Sequence, residues 1–483
     1  MGRVPENVRF AWRYGEIEER AGVYFPEEGD RTSPCSVRYW SRMEVLPPER
    51  LEEIRWERLV NLLQFAHKRS PFYRRRWDAA GIDPADIKNW HDFRRLPIIT
   101  KQDLEEDQGS NPPYGTVPTS PPHTQLKHWQ TSGTTGRPRY WSDTREDWDN
   151  GVLMQTRGLY AHGVRPGWRA FISFAYPPAM GFWICHEAAE LLGCQVVPRG
   201  PLTTLNWLRF MQSLAPSGAT SMVAGTPTSM IRMIEVAREN GIDLRELNVK
   251  VLHMAGEPGA TVPATKVLLE EAWGAEAHDM LGTTETSGPL FYSCSEQAKM
   301  SQMSVHMAVD QFVIELVDPV TLGPVDPDVG EKGVTVVTAL SRFGMPAVRY
   351  LVGDLVSFSR EKCPCGRTLP LVEKGGEARA DDMLIIKGVK IYPSLIENSV
   401  RAIKTLSPEY RIQVLKTGAT VRDARLYVEA VSGVPASEYR ALADRLRQDI
   451  RAKTLATLEV EVREPGSLRR DETKSRRIIE DGL

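Results

Sequence analysis

From Trp168 to Val197, and again from Thr220 to His278, short apolar runs alternate with segments of helical periodicity. Residues 170–174 and 249–254 read as strands, and 228–240 and 262–273 as helices. Parallel neighbours cannot be joined by a tight turn and need a crossover, so strands separated by helices imply a largely parallel sheet. The expected fold class is therefore α/β. At 483 residues the chain is too long for one compact core. After Gln311 the apolar runs become shorter and β-like, at 312–317, 334–339 and 355–358. The last hundred or so residues change again. A β segment (383–386, 390–391) leads to a helix from Pro393, a hairpin (411–416 with 424–430), a charged helix (438–454) and a strand (458–462). This predicts a large α/β domain with a β subdomain over 1–380 and a small α+β domain over 381–483, divided near Asp381. Upstream, Leu51, Ile54, Leu59, Leu62, Leu63 and Phe65 recur near a 3.6-residue period and predict one helix over 48–80. The Pro-rich stretch 111–123 reads as a loop.

Bulk charge excludes some partners. The formal net charge of −2 gives no default attraction to nucleic acid or an anionic membrane. The most apolar window, 170–185, contains Ser173 and is broken by Pro177 and Pro178, so it is expected in the core and not across a membrane. Met1 to Glu6 carries no apolar leader, and Glu6 stands where a myristoylation signal wants Ser or Thr, so the expectation is a cytoplasmic protein. Six cysteines in a chain this long do not make a disulfide framework.

Several short strings carry chemistry. Thr131-Ser132-Gly133-Thr134-Thr135-Gly136-Arg137-Pro138 combines glycines, which allow close backbone approach, with hydroxyls and N–H groups that suit an anion. The same composition also suits an ordinary turn, and no Gly-Lys-Ser/Thr follows to make it a Walker loop. Tyr350-Leu351-Val352-Gly353-Asp354 and Asp279-Met280-Leu281-Gly282-Thr283-Thr284-Glu285 each end on a carboxylate after a glycine, and each reads equally as a turn. Lys474 lies beside Arg476 and Arg477, as a solvated basic tail would. Cys294 and His306, with Cys363 and Cys365, could make a closed Cys₃His tetrahedron suited to Zn²⁺, although Cys-x-Cys is tighter than usual zinc spacing.

Taken in order, these strings resemble the motifs of the adenylate-forming superfamily of acyl-CoA synthetases, adenylation domains and luciferases. The resemblance covers nearly the whole chain and narrows to the phenylacetate–CoA ligase branch through 381–389, Tyr392-Pro393-Ser394, Cys363 to Thr368 and Ala255-Gly256-Glu257-Pro258. It implies that Thr131, Ser132, Gly133, Thr134, Thr135 and Gly136 cradle ATP phosphates. It places Gly256, Glu257, Pro258, Asp279, Met280, Leu281, Gly282 and Thr283 along the nucleotide, with Asp354 and Arg379 at the ribose. Thr284 would meet a phosphate and Glu285 would help to hold Mg²⁺, a hard cation that takes one or two carboxylates beside ATP. Asp381 would be the hinge and Lys474 the mobile lysine bridging carboxylate and α-phosphate. Gly282, Tyr176, Phe182 and His186 would border the acid pocket, although a histidine in an apolar segment also reads as a core residue. Relatives in this branch carry structural zinc at the position of the Cys/His set.

The implied reaction uses ATP, Mg²⁺ and coenzyme A: an aryl or arylacetic acid becomes an acyl-adenylate with release of pyrophosphate, and then a thioester with release of AMP. A carrier-protein phosphopantetheine or an amine as acceptor, and a catalytically silent scaffold, are the rival readings, and a dimer is as compatible with the sequence as a monomer. Three departures stand out. Leu281 replaces the aromatic that stacks on adenine, Ala378 replaces the hinge glycine, and Thr473 replaces the glycine before the mobile lysine. None removes a charged catalytic group.

Overall fold

A computed structural model describes residues 25–131, 138–174, 178–299, 304–326, 331–373, 384–386, 389–391, 393–417, 420–454, 458–471 and 477–479. Its centre is an eleven-stranded sheet. Five strands, Glu276–Thr283, Val249–Met254, Ser221–Gly225, Arg169–Ile172 and Gln195–Pro198, run parallel in that spatial order. On the other side of Glu276–Thr283 the pairing becomes antiparallel, through Gly288–Tyr292, Ser304–Met307, Leu371–Glu373, Tyr350–Ser359, Gly333–Ala339 and Phe312–Val317. The expected β subdomain is thus a continuation of the parallel sheet.

Alternation along the parallel strands builds two cores. Ala170, Ile172, Met222, Ala224 and Val251 face one cluster, while Phe171, Val223 and Leu252 face another. The second cluster takes Trp207 from the helix Thr204–Leu214, Met230 and Ile234 from Pro227–Glu239, and Leu269 and Trp273 from Pro263–Trp273. The first takes the helices Arg145–Ala161 and Met180–Leu191. Burial on both faces explains the near-continuous apolar strands that the sequence shows.

Two elements differ from expectation. The single helix over 48–80 is two helices, Pro48–Arg69 and Pro71–Ala79. Pro71 supplies no N–H and disfavours helical backbone before it, so Ser70 turns extended at φ −98° and ψ 115°. Arg145–Ala161 was not read from sequence at all, because it is buried almost all round and carries Asp147, Asn150, Gln155 and Arg157 inward. Their partners come from distant segments: Asp147 accepts from Phe343 N at 2.7 Å, and Arg157 pairs with Asp310 at 2.7 Å.

The C-terminal lobe has its own core of Ile396, Leu406, Ile412, Leu426, Leu446 and neighbours. Its sheet order is Glu459–Arg463, Thr420–Ala430, Leu406–Thr417 and Ile478–Ile479, with the helices Pro393–Arg401 and Tyr439–Thr454. It meets the body through Arg470 and Glu235 (3.4 Å), Asn398 Oδ1 and Ala264 N (3.3 Å), and Glu397 and Arg401 with Thr265. Among the described residues no helix is long and apolar enough to cross a membrane.

Candidate active site

The strand Glu276–Thr283 is parallel to one neighbour and antiparallel to the other, so the parallel half of the sheet ends there. Ligands of open α/β sheets bind beyond the carboxyl ends of the parallel strands. Three motifs that the sequence analysis singled out lie at this end.

The loop after Val249–Met254 is held from below. The buried Asp279 carboxylate accepts from Gly259 N (3.1 Å), Ala260 N (2.9 Å), Thr261 N (2.7 Å) and Thr261 Oγ1 (2.8 Å). Asp279 therefore fixes the 259–261 backbone. Gly256 sits at φ +87°, where a side chain would be strained. Glu257 accepts from Thr228 Oγ1 at 2.6 Å, which ties the same loop to the first turn of Pro227–Glu239. Met280 is buried in the core behind the site, Leu281 is half-buried and Gly282 is exposed. A Cβ on Gly282 would stand 2.5 Å from Gly288 O, so the bulged hairpin admits only glycine there.

Glu285 is where the motifs meet. Its Oε1 accepts from Tyr350 Oη at 3.1 Å and lies 3.6 Å from Arg139 Nη2. Arg139 comes from the hairpin Gln125–Gln130 and Tyr140–Thr144, whose connection is the Gly/Thr-rich string. Thr131 N donates to Arg139 O and Arg139 N donates to Thr131 Oγ1, both at 3.0 Å, closing the loop at its stem. Beneath the turn, the fully buried Arg342 donates to Thr284 O (2.8 Å) and Glu285 O (2.6 Å) and pairs with Asp143 at 2.8 Å. Burial pushes the Asp143 carboxyl up, and Arg342 opposes the shift. Asp354 is half-buried and follows Gly353, at φ +88°. Ser132, Gly133, Thr134, Thr135 and Gly136, together with Tyr176, Arg379, Asp381 and Lys474, lie outside the described residues.

The rings of Phe174 and Phe182 are 3.7 Å apart between centroids. His186 lies one turn beyond Phe182 on the same stripe of Met180–Leu191, half-buried, with Nε2 3.2 Å from Glu190 Oε1.

The Cys/His set does come together. Cys294 follows the strand Gly288–Tyr292, His306 lies on the adjacent Ser304–Met307, and Cys363 and Cys365 precede Leu371–Glu373, which pairs with His306. All four are buried, with their ligating atoms within 4.8 Å of one another. Cys294 Sγ and Cys363 Sγ are 3.5 Å apart, and Cys365 Sγ and His306 Nε2 are 3.4 Å apart. A tetrahedral zinc with its usual bond lengths needs about 3.8 Å between sulfurs and about 3.5 Å between sulfur and nitrogen, so the donor set fits. Hydrogen bonds from Cys294 and Cys363, with His306 beside it, hold the Cys365 thiol far below its usual range. Tyr39 Oη donates to Cys365 O at 2.7 Å, and Arg367 pairs with Glu44 at 2.6 Å, fastening the 36–46 segment to the cluster.

Sequence reasoning missed Arg139, Arg342 and Asp143. Arg139 directly follows a singled-out string and could have been found by its position, whereas nothing in the local sequence marks Arg342.

A parallel sheet that turns antiparallel at Glu276–Thr283, with a buried carboxylate in the turn beyond it and a C-terminal lobe with its own core, is the arrangement of the adenylate-forming ligases. The family described as "AMP-binding enzyme C-terminal domain" matches residues 388–481. A phenylacetate-coenzyme A ligase of Thermus thermophilus is 31% identical over 462 residues, covering 92% of this chain and 99% of the relative. A crystal structure of 2-hydroxyisobutyryl-CoA ligase in the postadenylation state, in complex with 2-HIB-AMP, is 31% identical with a TM-score of 0.86, covering 95% of this chain and 96% of the other. An open conformation of that ligase, in complex with 2-HIB-AMP and CoA, is 30% identical over 96% of this chain and 100% of the other, and superposes at 0.70. The chain belongs to the phenylacetate–coenzyme A ligase family of AMP-forming acid–CoA ligases.

Proposed function

We propose that this enzyme activates an aryl or arylacetic acid with ATP and passes the acyl group to coenzyme A. The observation that carries the reading is the meeting at Glu285 of Tyr350, from a second motif, and Arg139, which directly follows the Gly/Thr-rich string, beyond the carboxyl end of the last parallel strand. In the first step a substrate carboxylate oxygen attacks the α-phosphorus, the bond to the β-phosphate oxygen breaks, and pyrophosphate leaves. In the second, the CoA thiolate adds to the acyl carbonyl, the bond to the adenylate oxygen breaks, and AMP leaves. Both steps bring like charges together, so the protein contributes chiefly positioning and charge neutralisation. The Thr131–Arg139 loop supplies phosphate donors, the 255–262 loop borders the base, and Asp354 accepts from the ribose. Arg342 fixes the turn that presents Glu285. A single carboxylate beside a polyphosphate fits Mg²⁺, which when bound would neutralise phosphate charge. Lys474 is assigned to the carboxylate–phosphate bridge of the first step, and Asp381 to the pivot between steps. Phe174 and Phe182 give the acid site an aromatic wall. Three thiolates and an imidazole with no open position would hold zinc as a structural ion.

Acid-dependent ATP–pyrophosphate exchange tests this, over aryl, arylacetic, fatty and short hydroxy acids, followed by thioester formation with CoA or a carrier protein. Exchange with an aryl acid, reduced on the order of a hundredfold or more in Lys474→Ala, is the expected result. Exchange confined to short hydroxy acids would overturn the aryl assignment, and acylation of carrier protein but not CoA would overturn the acceptor.

A further inference from the structure

Glu285 does not stand alone in the site. Arg139 and Glu285 are both nearly buried, at 8% and 9% side-chain exposure, and Arg139 also reaches Glu105 on the helix Lys101–Ser110 at 2.9 Å. The contacts are unequal. Arg139 Nη1 makes a full hydrogen bond to Glu105, whereas Nη2 at 3.6 Å from Glu285 is beyond hydrogen-bond reach and acts through charge. A guanidinium cannot shed its proton at any working pH, so this charge is permanent. Nor can it drift away easily, because the Arg139 backbone is locked to Thr131 at the stem of the phosphate loop. A divalent cation approaching Glu285 must therefore share that carboxylate with a fixed positive charge. Glu105, at 36% exposure on the far side, draws part of the charge away.

We propose that Arg139 is a positioning residue that sets how strongly Glu285 recruits the divalent cation of the nucleotide, with Glu105 tuning it. The proposal rests on the reading of Glu285 as the magnesium carboxylate. Removing Arg139 strengthens the pull of Glu285 on a cation and increases its repulsion of metal-free ATP. Removing the charge of Glu105 leaves Arg139 to Glu285 alone and does the reverse. The two substitutions should move one quantity in opposite directions, which generic damage to the fold cannot do.

The quantity is the ratio of ATP dissociation constants without and with Mg²⁺, read by titration calorimetry on the full chain, with no acid and no turnover. Arg139→Met should raise the ratio on the order of tenfold, Glu105→Gln should lower it severalfold, and Arg139→Lys should stay close to wild type. Glu285→Gln is the control for the underlying reading, and should lower the ratio most. If Glu285→Gln lowers it while Arg139→Met and Glu105→Gln stay within about twofold of wild type, the role of Arg139 is overturned and the magnesium reading stands. If Glu285→Gln changes nothing, the magnesium reading itself fails. Should Arg139→Met not fold, the sign of the Glu105→Gln change decides the matter: a rise or no change overturns the proposal.

Discussion

Two ion pairs, one inside the body and one between body and lobe, show how differently the two boundaries are built. Arg342 and Asp143 meet at 2.8 Å with 2% and 0% side-chain exposure. Arg470 and Glu235 meet across the domain boundary at 3.4 Å with 23% and 17% exposure. The first pair is enclosed by Trp141, which lies under the guanidinium, and by Trp129, whose indole donates to Asp143 at 2.6 Å. It also anchors the turn bearing Glu285. In the second pair Arg470 keeps a partner within the lobe, Glu429, at 2.7 Å, and Glu235 keeps Arg232 at 3.1 Å. Each member of the boundary pair thus retains a countercharge when the two separate. The pair within the body is enclosed, whereas the boundary pair is partly exposed and each of its members has a second partner.

The largest effect should come from breaking the buried pair. Arg342→Met strands the Asp143 charge and the carbonyls of Thr284, Glu285 and Ser142, and should cost about 3–5 kcal/mol in urea unfolding of the body. It should also abolish exchange. A loss below about 1 kcal/mol would make this pair no different from a surface one and dissolve the contrast.

Next comes the Cys/His set, which joins strands of the body and has no counterpart among the described residues of the lobe. Metal analysis should find about one zinc per chain, and Cys363→Ser or chelation should cost about 2 kcal/mol or more in the body's unfolding. Purified protein without zinc, yet equally stable, would remove the metal from the account.

A third test uses the buried histidines, all of which lie in the body, since the nine histidines of the chain end at His306. Burial, with His278 nearby, drives His253 from 6.5 down to about 3, and burial also lowers His162 well below its usual range. Between those values the unfolded chain takes up protons that the folded chain refuses. The contribution of His253 is therefore fully present above pH 6.5 and is lost as pH falls toward 3, with a slope of up to about 1.4 kcal/mol per pH unit. Denaturation followed against pH should show the body losing stability first, and His253→Gln should flatten that decline. An acid limb that is unchanged in the variant would assign the sensitivity elsewhere.

The smallest stability change belongs to the boundary. Glu235→Ala should cost less than about 1 kcal/mol, as partly exposed pairs do. It should nevertheless slow acid-dependent exchange severalfold while sparing thioester formation from preformed adenylate. Equal loss in both half-reactions would show that Glu235 serves the body and not the joint.

The parallel half of the sheet was legible in the sequence because strands buried on both faces must be apolar throughout, and the strands at 170–174 and 249–254 were found nearly to the residue. The lobe was legible for the same reason: its hairpin and helices follow simple periods. The helix Arg145–Ala161 was not, since its inward face is polar and its partners, such as Phe343 N and Asp310, lie far along the chain. The break at Ser70 was open to view in Pro71, but the apolar period running through it hid the stop.

The order of motifs and the class of chemistry were determined by the sequence itself, since each motif depends on residues within a few positions of one another. Tertiary structure decided the rest. It brought Cys294 and His306 to Cys363 and Cys365 through the register of adjoining strands, and put Arg342 beneath Glu285. It set the Asp279 carboxylate beneath the 259–261 loop and Arg139 between two carboxylates. Charge and hydrogen bonding act over a few ångströms whatever the separation in sequence, so which groups become partners is settled only when the sheet closes.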